Sequence, residues 1–446
     1  MELIRGISGI RGIVNDSLTD SIIKSHVRAF SILQKEGVIL LARDSRSHGE
    51  AFIISIAEEL KKCGREVINY DIIPTPTAQF LVDKKHLAGG IVVTASHNPK
   101  EWNGLKFIDA DSCFLNGDKN NKLFEIADSE LEENHNIGSI QSIENGYLAH
   151  ITHTRSLSFI DTEAIEDRKF SIVVDAVNGA ASKALPAMIE ALGCTVHHLY
   201  CDMNGKFLRG AEPLPYNLEN LGEAVRNLEA DAGFATDPDG DRLAVVDETG
   251  NPLGEEYTLT ICADGYFQST SSATPIVTNL STTMALDKLA ERFGREVIRS
   301  AVGEINVVNK MKEVGAQLGG EGNGGVILSE SHYGRDSLVG AAMFLNRMSQ
   351  DNLLVSKIFQ SMPKYIMIKD KIEMRSIDLQ IAFDKIKSKY SDADTDETDG
   401  LKLSWDNSWV HIRKSNTEHI IRIYAEAPTR DEADEIVKKT KTDLYI

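Results

Sequence analysis

The chain has 446 residues, room for three or four domains at roughly 100–150 residues each, with 42% hydrophobic and 26% charged residues, an ordinary globular balance. A formal net charge of −19 argues against a nucleic-acid or anionic-membrane surface, and no apolar run approaches the ~18 residues of a membrane span. The five scattered cysteines form no CxxC and the N-terminus has no apolar leader core, so a cytoplasmic protein without a disulfide framework or zinc cluster is expected.

In chain order, the first patterned segment is "GVILLARDSRSHGEAFIISIAEELKKCGREVINY" from Gly37. It predicts an apolar strand, a polar loop, an amphipathic helix, a glycine stop and a second strand. Ile53, Ile56, Leu60 and Cys63 mark the expected buried helix face. The same plan recurs in "FSIVVDAVNGAASKALPAMIEALGCTVHHLY" from Phe170 and in "TPIVTNLSTTMALDKLAERFGREVIRS" from Thr274. Gly64, Gly193 and Gly294 stand where the three helices should stop. Strands alternating with helices imply parallel pairing. The fold class expected is α/β: three similar α/β domains with mixed sheets, plus a smaller C-terminal α+β domain, around one central cleft. Turn-rich stretches at 133–146 and 247–254 and the "QSMPKY" near Pro363 set the boundaries at 1–148, 149–253, 254–364 and 365–446.

Each repeat unit offers a candidate ligand loop past the carboxyl end of a further strand: "GGIVVTASHNP", "AGFATDPDGDR" and "LGGEGNGG". The first carries Ser96, His97 and Asn98, and it is not the G-x-S-x-G of a hydrolase elbow. Lys106 follows at the expected start of the next strand, where a lysine can carry a proton if neighbouring cations and burial lower its pKa. The second loop crowds Asp237, Asp239 and Asp241 into five residues. Carboxylates that close repel one another unless a hard divalent cation neutralises them. An EF-hand is the rival, since Glu248 falls at its twelfth position, but Arg242 occupies the sixth, where that loop needs glycine. The third loop satisfies G-x-G-x-x-G, yet "VILSE" after it reads as a strand, which excludes a dinucleotide site.

Together the serine and aspartate loops resemble the α-D-phosphohexomutase family. Its T-x-S-H-N-P…N-G-x-K pattern matches Thr94, Ser96, His97, Asn98, Pro99, Asn103, Gly104 and Lys106, and its D-x-D-G-D-R matches Asp237, Asp239, Gly240, Asp241 and Arg242. The resemblance covers essentially the whole chain. It implies that Ser96 carries a phosphoryl group and that Ser96, Asp237, Asp239 and Asp241 hold Mg²⁺. It also implies that Lys106 is the general acid/base, with His97 and Arg242 as electrostatic support.

The terminal regions extend the resemblance. "SGIRG" resembles the family's D-G-I-R-G, with Ser8 in place of Asp, so Arg11 is expected at the phosphoserine. "RKSNTEHIIR" resembles its phosphate-binding loop, implying Arg413, Ser415, Asn416 and Thr417 as substrate ligands, with His419 where many relatives have Pro. Glu321 matches the family's sugar-reading glutamate, Asn323 replaces a more usual Ser, and Glu304 stands where phosphoglucosamine mutases tend to have an acid.

The implied reaction interconverts hexose 6-phosphate and hexose 1-phosphate through a phosphoserine enzyme and a hexose 1,6-bisphosphate, most like glucosamine 6-phosphate to glucosamine 1-phosphate. Phosphomannomutase/phosphoglucomutase and a metal-dependent sugar phosphatase are the alternatives. The expected partner is a small sugar phosphate, with no nucleic acid and no membrane, in a monomer or homodimer. Closure about a hinge near Pro363 is expected.

Overall fold

The computed structural model describes residues 3–130, 137–374, 378–415 and 420–445. They divide into two compact units, one of residues 1–271 with 323–360 and one of residues 272–322 with 361–446. The chain therefore passes between units three times, after Ser271, Gly322 and Gln360.

In the first unit a seven-stranded mixed sheet runs in the order Ile4–Gly6, Gly9–Ile13, Trp102–Ile108, Gly89–Val93, Ile39–Arg43, Glu66–Ile72, Ser139–Ser142. The strand Ile39–Arg43 is parallel to both neighbours, whereas Trp102–Ile108 is antiparallel to both of its own. Ile39, Leu40, Leu41 and Ala42 are wholly buried, as a strand covered on both faces requires. The helix Gly49–Lys62 buries Phe52, Ile53, Ile56, Ala57 and Leu60. Cys63 lies instead at its C-cap and is only half-buried, because the helix ends one residue earlier than the spacing predicts.

The second sheet of this unit runs Leu243–Val246, Ala232–Thr236, Ser171–Asp175, Thr195–Leu199. Only its first pair is antiparallel. The helix Ser337–Gln350, buried along most of its length and N-capped by Asp336, also belongs to this unit.

The second unit holds a parallel layer with Ile276–Asn279 between Val297–Ser300 and Leu318–Glu321. Beside it is an antiparallel sheet ordered Ile366–Glu373, Ile420–Ala427, Ser408–Lys414, Leu401–Trp405, Asp394–Asp396. There Leu401, Leu403, Val410, Ile412, Ile421, Ile423 and Ala425 repeat at period two and form one core with the helices Leu379–Lys389 and Arg430–Leu444. Lys402 Nζ donates to the Leu280 carbonyl at 2.7 Å, and Glu426 accepts from the Met284 amide at 2.8 Å, so the two layers of this unit are stitched by buried polar bonds.

All three repeats take the expected form. Each pairs its flanking strands in parallel, 39–43 with 66–72, 171–175 with 195–199 and 276–279 with 297–300. Gly64, Gly193 and Gly294 have φ of 80°, 78° and 63°, the left-handed turn that ends a helix at little cost only for glycine. Among the described residues no helix is long and apolar enough to cross a membrane.

Candidate active site

Ser96 and the aspartate loop meet in the first unit. Ser96 leaves the buried strand Gly89–Val93 with φ 48°, a left-handed conformation that non-glycine residues rarely adopt. The turn is over-determined by its neighbours. The Ser96 amide donates to Thr94 Oγ1 at 2.9 Å, and the Ser96 carbonyl accepts from Arg46 Nη2 at 2.7 Å. Arg46 also reaches the carbonyls of Asn98, Pro99 and Trp102 at 2.8, 2.7 and 3.1 Å, and its Nε pairs with Asp44 at 3.0 Å. Asp44 in turn accepts from Thr94 Oγ1 at 2.7 Å. One buried guanidinium thus gathers four carbonyls of the serine loop.

Ser96 Oγ lies 3.3 Å from Asp237 Oδ2 and 3.5 Å from His97 Nδ1. Neither is the short contact by which a hydrolase base activates its serine. Arg242 Nη2 donates to His97 Nδ1 at 3.1 Å, while its Nη1 pairs with Glu212 at 3.1 Å. Burial and the guanidinium groups of Arg242 and Arg11 hold the His97 imidazole well below its ordinary pKa, which leaves it neutral and able to accept. Arg11 Nη1 donates to Asn98 Oδ1 at 3.2 Å, so it lies against the serine loop.

Asp237, Asp239 and Asp241 are fully buried on the turn after Ala232–Thr236. Gly240 makes the turn possible: it has φ 72°, and a Cβ there would sit 3.1 Å from Ala181 Cβ and 3.2 Å from Pro74 Cβ. Asp237 Oδ1 accepts the amides of Asp241 and Arg242 at 3.1 and 3.2 Å. Asp239 Oδ2 accepts from Lys106 Nζ at 2.6 Å and Thr75 Oγ1 at 2.7 Å. Asp241 Oδ2 accepts from Arg335 Nη2 at 2.7 Å and Lys106 Nζ at 3.3 Å. Glu248 takes no part: its carboxylate binds the amide of Ser356 at 3.0 Å, which disposes of the EF-hand.

The electrostatics divide the three carboxylates. Burial, then the charges of Asp241 and Asp239, push Asp237 well above the carboxylate range. Burial would raise Asp239 too, but Lys106 and Thr75 hold it far below. Lys106 corrects one expectation, its position, and answers a condition, its charge. It lies within the strand Trp102–Ile108 rather than at its start, and burial, which lowers its pKa, is outweighed by Asp239 and Asp241, so the ammonium stays charged.

A hard divalent cation fits this loop. The three carboxylates offer oxygens within 4.8 Å of one another, and Asp239 Oδ1 and Asp241 Oδ1 are buried with no hydrogen-bond partner. An all-oxygen set with unmatched lone pairs is the donor chemistry of Mg²⁺.

The second unit carries the remaining candidates. Glu321 ends its strand and accepts from Asn279 Nδ2 at 2.7 Å and from the Gly303 amide at 3.0 Å. Glu304, the next residue, is buried in the first turn of the helix Glu304–Val314. The two sugar-side segments are therefore brought together. Arg413 lies on the strand Ser408–Lys414 opposite Arg422, and its Nε is buried without a partner. Ser415 closes the hairpin through its amide to the Ile420 carbonyl at 2.9 Å. Asn416 and Thr417, with Glu418 and His419, lie outside the described residues. Asn323 belongs to the first unit, where its Oδ1 accepts from the Gly325 amide at 3.2 Å.

Sequence reasoning missed several supports. Arg46 and Asp44 stood in the quoted "ARDSR", where an Asp-x-Arg after a strand is the only signal. Arg335, Thr75, Arg209 and Asn279 had none, since each comes from a distant segment. Arg209 pairs with buried Asp175 at 2.6 Å and binds the Thr236 carbonyl that precedes Asp237.

Four family profiles match in order along the chain. They are phosphoglucomutase/phosphomannomutase α/β/α domain I over residues 2–134, domain II over 145–250, domain III over 254–365 and the C-terminal domain over 379–442. Among curated relatives, the phosphoglucomutase/phosphomannomutase of Thermococcus kodakarensis is 33% identical, with 97% of this chain and 96% of that protein covered. A probable phosphoglucosamine mutase of Methanopyrus kandleri is 29% identical over 97% and 95%. Among solved structures, a phosphoglucomutase/phosphomannomutase family protein of Burkholderia thailandensis superposes with a TM-score of 0.83 at 25% identity, covering 98% of this chain and 96% of that one. A serine loop locked against a cation-ready aspartate loop, in a chain matched from end to end, leaves one family: the protein is a mutase, an isomerase, of the phosphoglucomutase/phosphomannomutase family of phosphohexomutases.

Proposed function

We propose that this mutase interconverts glucosamine 6-phosphate and glucosamine 1-phosphate through a phosphorylated Ser96. The observation that carries the choice of sugar is the acidic pair in the second unit: Glu321 binds the amide of Gly303, the residue immediately before Glu304. A buried glutamate that opens a helix at the turn a second glutamate anchors suits an ammonium better than a neutral hydroxyl. The name of the Methanopyrus relative agrees with this reading. The name of the Thermococcus relative supports the second reading, a phosphoglucomutase/phosphomannomutase.

In the mechanism, the phosphorus of phospho-Ser96 is attacked by the free hydroxyl of a hexose monophosphate. The Oγ–P bond breaks and a sugar O–P bond forms; the Lys106 ammonium gives a proton to the departing Oγ and is recharged by the proton that the sugar hydroxyl loses. The resulting hexose 1,6-bisphosphate turns over and gives its other phosphoryl group back to Ser96. Asp237, Asp239 and Asp241, with the serine oxygen, would hold Mg²⁺, which supplies charge neutralisation on the transferring group. Arg11, Arg242 and neutral His97 stabilise the same charge. Arg413, Ser415, Asn416 and Thr417 hold the phosphate that is not reacting, and Glu321 and Asn323 read sugar hydroxyls. The five free cysteines fit a reducing cytoplasm.

The test is incubation of the Mg²⁺-loaded protein with the 1-phosphates of glucosamine, glucose and mannose in turn, primed with a trace of hexose 1,6-bisphosphate and followed by phosphorus NMR. Glucosamine 6-phosphate forming fastest supports the proposal. Preference for glucose or mannose overturns the sugar, and release of inorganic phosphate alone overturns the transfer mechanism.

A further inference from the structure

A second polar cluster lies in the first unit away from the serine and aspartate loops. His150 sits on the helix Tyr147–Arg155, and His332 and Asp336 lie in the turn between the strand Gly325–Leu328 and the helix Ser337–Gln350. All three are buried, at 0%, 3% and 1% exposure. His332 Nε2 donates to Asp336 Oδ2 at 3.0 Å. His150 Nε2 pairs with the same oxygen at 2.9 Å, although no N–H there is aligned for a hydrogen bond. His332 Nδ1 is also buried without a partner. Buried ring nitrogens are nearly always satisfied, so an imidazole nitrogen packed against a carboxylate oxygen with no aligned proton calls for an account.

We propose that His150 Nε2, His332 Nε2 and Asp336 Oδ2 bind a divalent transition metal of the zinc class, as a structural site separate from the catalytic aspartates. The three donor atoms lie within 4.8 Å of one another, close enough to form one face of a tetrahedron around such an ion. Two imidazoles and one carboxylate select zinc-like metals, whereas the all-oxygen aspartate loop selects Mg²⁺.

The surroundings hold the donors as metal ligands are held. Thr77 Oγ1 lies 3.1 Å from His150 Nδ1, which fixes the ring and directs Nε2 inward. Phe80 stacks on the His150 ring at 4.5 Å. Asp336 Oδ1 is engaged by the amides of Leu338 and Val339, so the carboxylate is oriented and Oδ2 is left for the cluster.

A metal here has a structural consequence for the active site. The turn that carries His332 and Asp336 also carries Arg335, which binds Asp241, and leads into Ser337, whose hydroxyl donates to the Gly240 carbonyl at 2.7 Å. Clamping the turn to the helix Tyr147–Arg155 stiffens the backing of the aspartate loop. His150 and His332 are thus positioning residues.

The experiment uses the full chain expressed in cobalt-supplemented medium and exchanged into millimolar Mg²⁺, which occupies the aspartate loop. Metal analysis should find about one tightly held Co²⁺ per chain, with the visible bands of nitrogen ligation. Asp239→Asn should keep that cobalt, and His150→Gln should lose it. Absence of retained cobalt, or cobalt lost in Asp239→Asn and kept in His150→Gln, overturns the proposal. Should His150→Gln fail to fold, X-ray absorption of the unmutated cobalt protein decides: imidazole scattering beyond the first shell supports the site, and an oxygen-only shell overturns it.

Discussion

The serine and aspartate loops and the sugar- and phosphate-side segments are built on opposite principles. The former are buried side chains that fix one another in place, with Asp239 Oδ1 and Asp241 Oδ1 left over for a cation: Lys106 bridges Asp239 and Asp241, Arg46 gathers four carbonyls, and Arg242 ties His97 to Glu212. In the latter, Arg413 keeps a buried Nε donor unmatched. Phosphoryl transfer needs fixed charges at fixed places, so preorganisation is spent there. Recognition needs groups whose partner arrives with the ligand. Chemistry should therefore fail steeply on mutation of the first set, and preference should shift modestly on mutation of the second.

The largest effect is expected at Ser96. Ser96→Ala should lower kcat by roughly 10⁵–10⁶-fold, the loss typical of removing a nucleophile. Its hydroxyl makes only long contacts of 3.3 and 3.5 Å, so the melting temperature should stay within about 2 °C of the parent. Residual mutase activity well above that level would remove Ser96 as the phosphoryl carrier. Arg46→Ala comes next. It strips the guanidinium from buried Asp44 and from four loop carbonyls, at an expected cost of about 3–5 kcal/mol. Denaturant unfolding should report the loss, and a change below ~1 kcal/mol would show that the strained Ser96 turn stands without it.

How much of this was legible follows the same division. The three strand–helix–strand repeats were readable because each packs its own periodic face, and their glycines stop the helices by local geometry alone. Ser96 and the aspartates were readable because each motif lies within a single loop. Arg335, Thr75 and Arg209 were not, because a lone polar residue acquires meaning only when folding brings it to Asp241, Asp239 or Thr236. The charge on Lys106 was not legible for the same reason. Burial could be anticipated from sequence, but two carboxylates at its ammonium could not. Cys63 shows the smaller error of a helix face extended one residue too far.

A pH prediction separates the units. His411 is buried in the second unit, its Nε2 donating to the Asp399 carbonyl at 2.6 Å and its Nδ1 accepting from Ser281 Oγ at 2.9 Å. Burial, aided by the nearby charges of Lys402 and Arg413, lowers its pKa to about 4. A histidine depressed in the folded state favours folding above its unfolded value of ~6.5, and that contribution is lost as pH falls from there toward 4. The second unit should thus lose about 3 kcal/mol over this window from His411 alone. Hydrogen exchange of the strand Ser408–Lys414 should accelerate across it. In His411→Asn that acceleration should be muted, and an unchanged pH response would assign the loss to other groups.

The smallest effect bears on the sugar. If Glu304 meets a substrate ammonium, Glu304→Gln should raise KM for glucosamine 1-phosphate by about 10-fold, roughly 1.4 kcal/mol. It should leave kcat nearly unchanged, because a charge held equally in ground and transition states contributes only uniform binding. Glucose 1-phosphate, which carries no ammonium, is the internal control, and its KM should move by less than about 2-fold. Equal losses for both sugars would mean that Glu304 shapes the turn at Gly303 rather than reading charge. Glu321→Gln distinguishes the two cases further. Its carboxylate anchors Asn279 and the Gly303 amide, so its loss should impair all three hexose phosphates together. A selective loss at Glu304 with a general loss at Glu321 would place amino-sugar preference in one carboxylate and the architecture that presents it in the other.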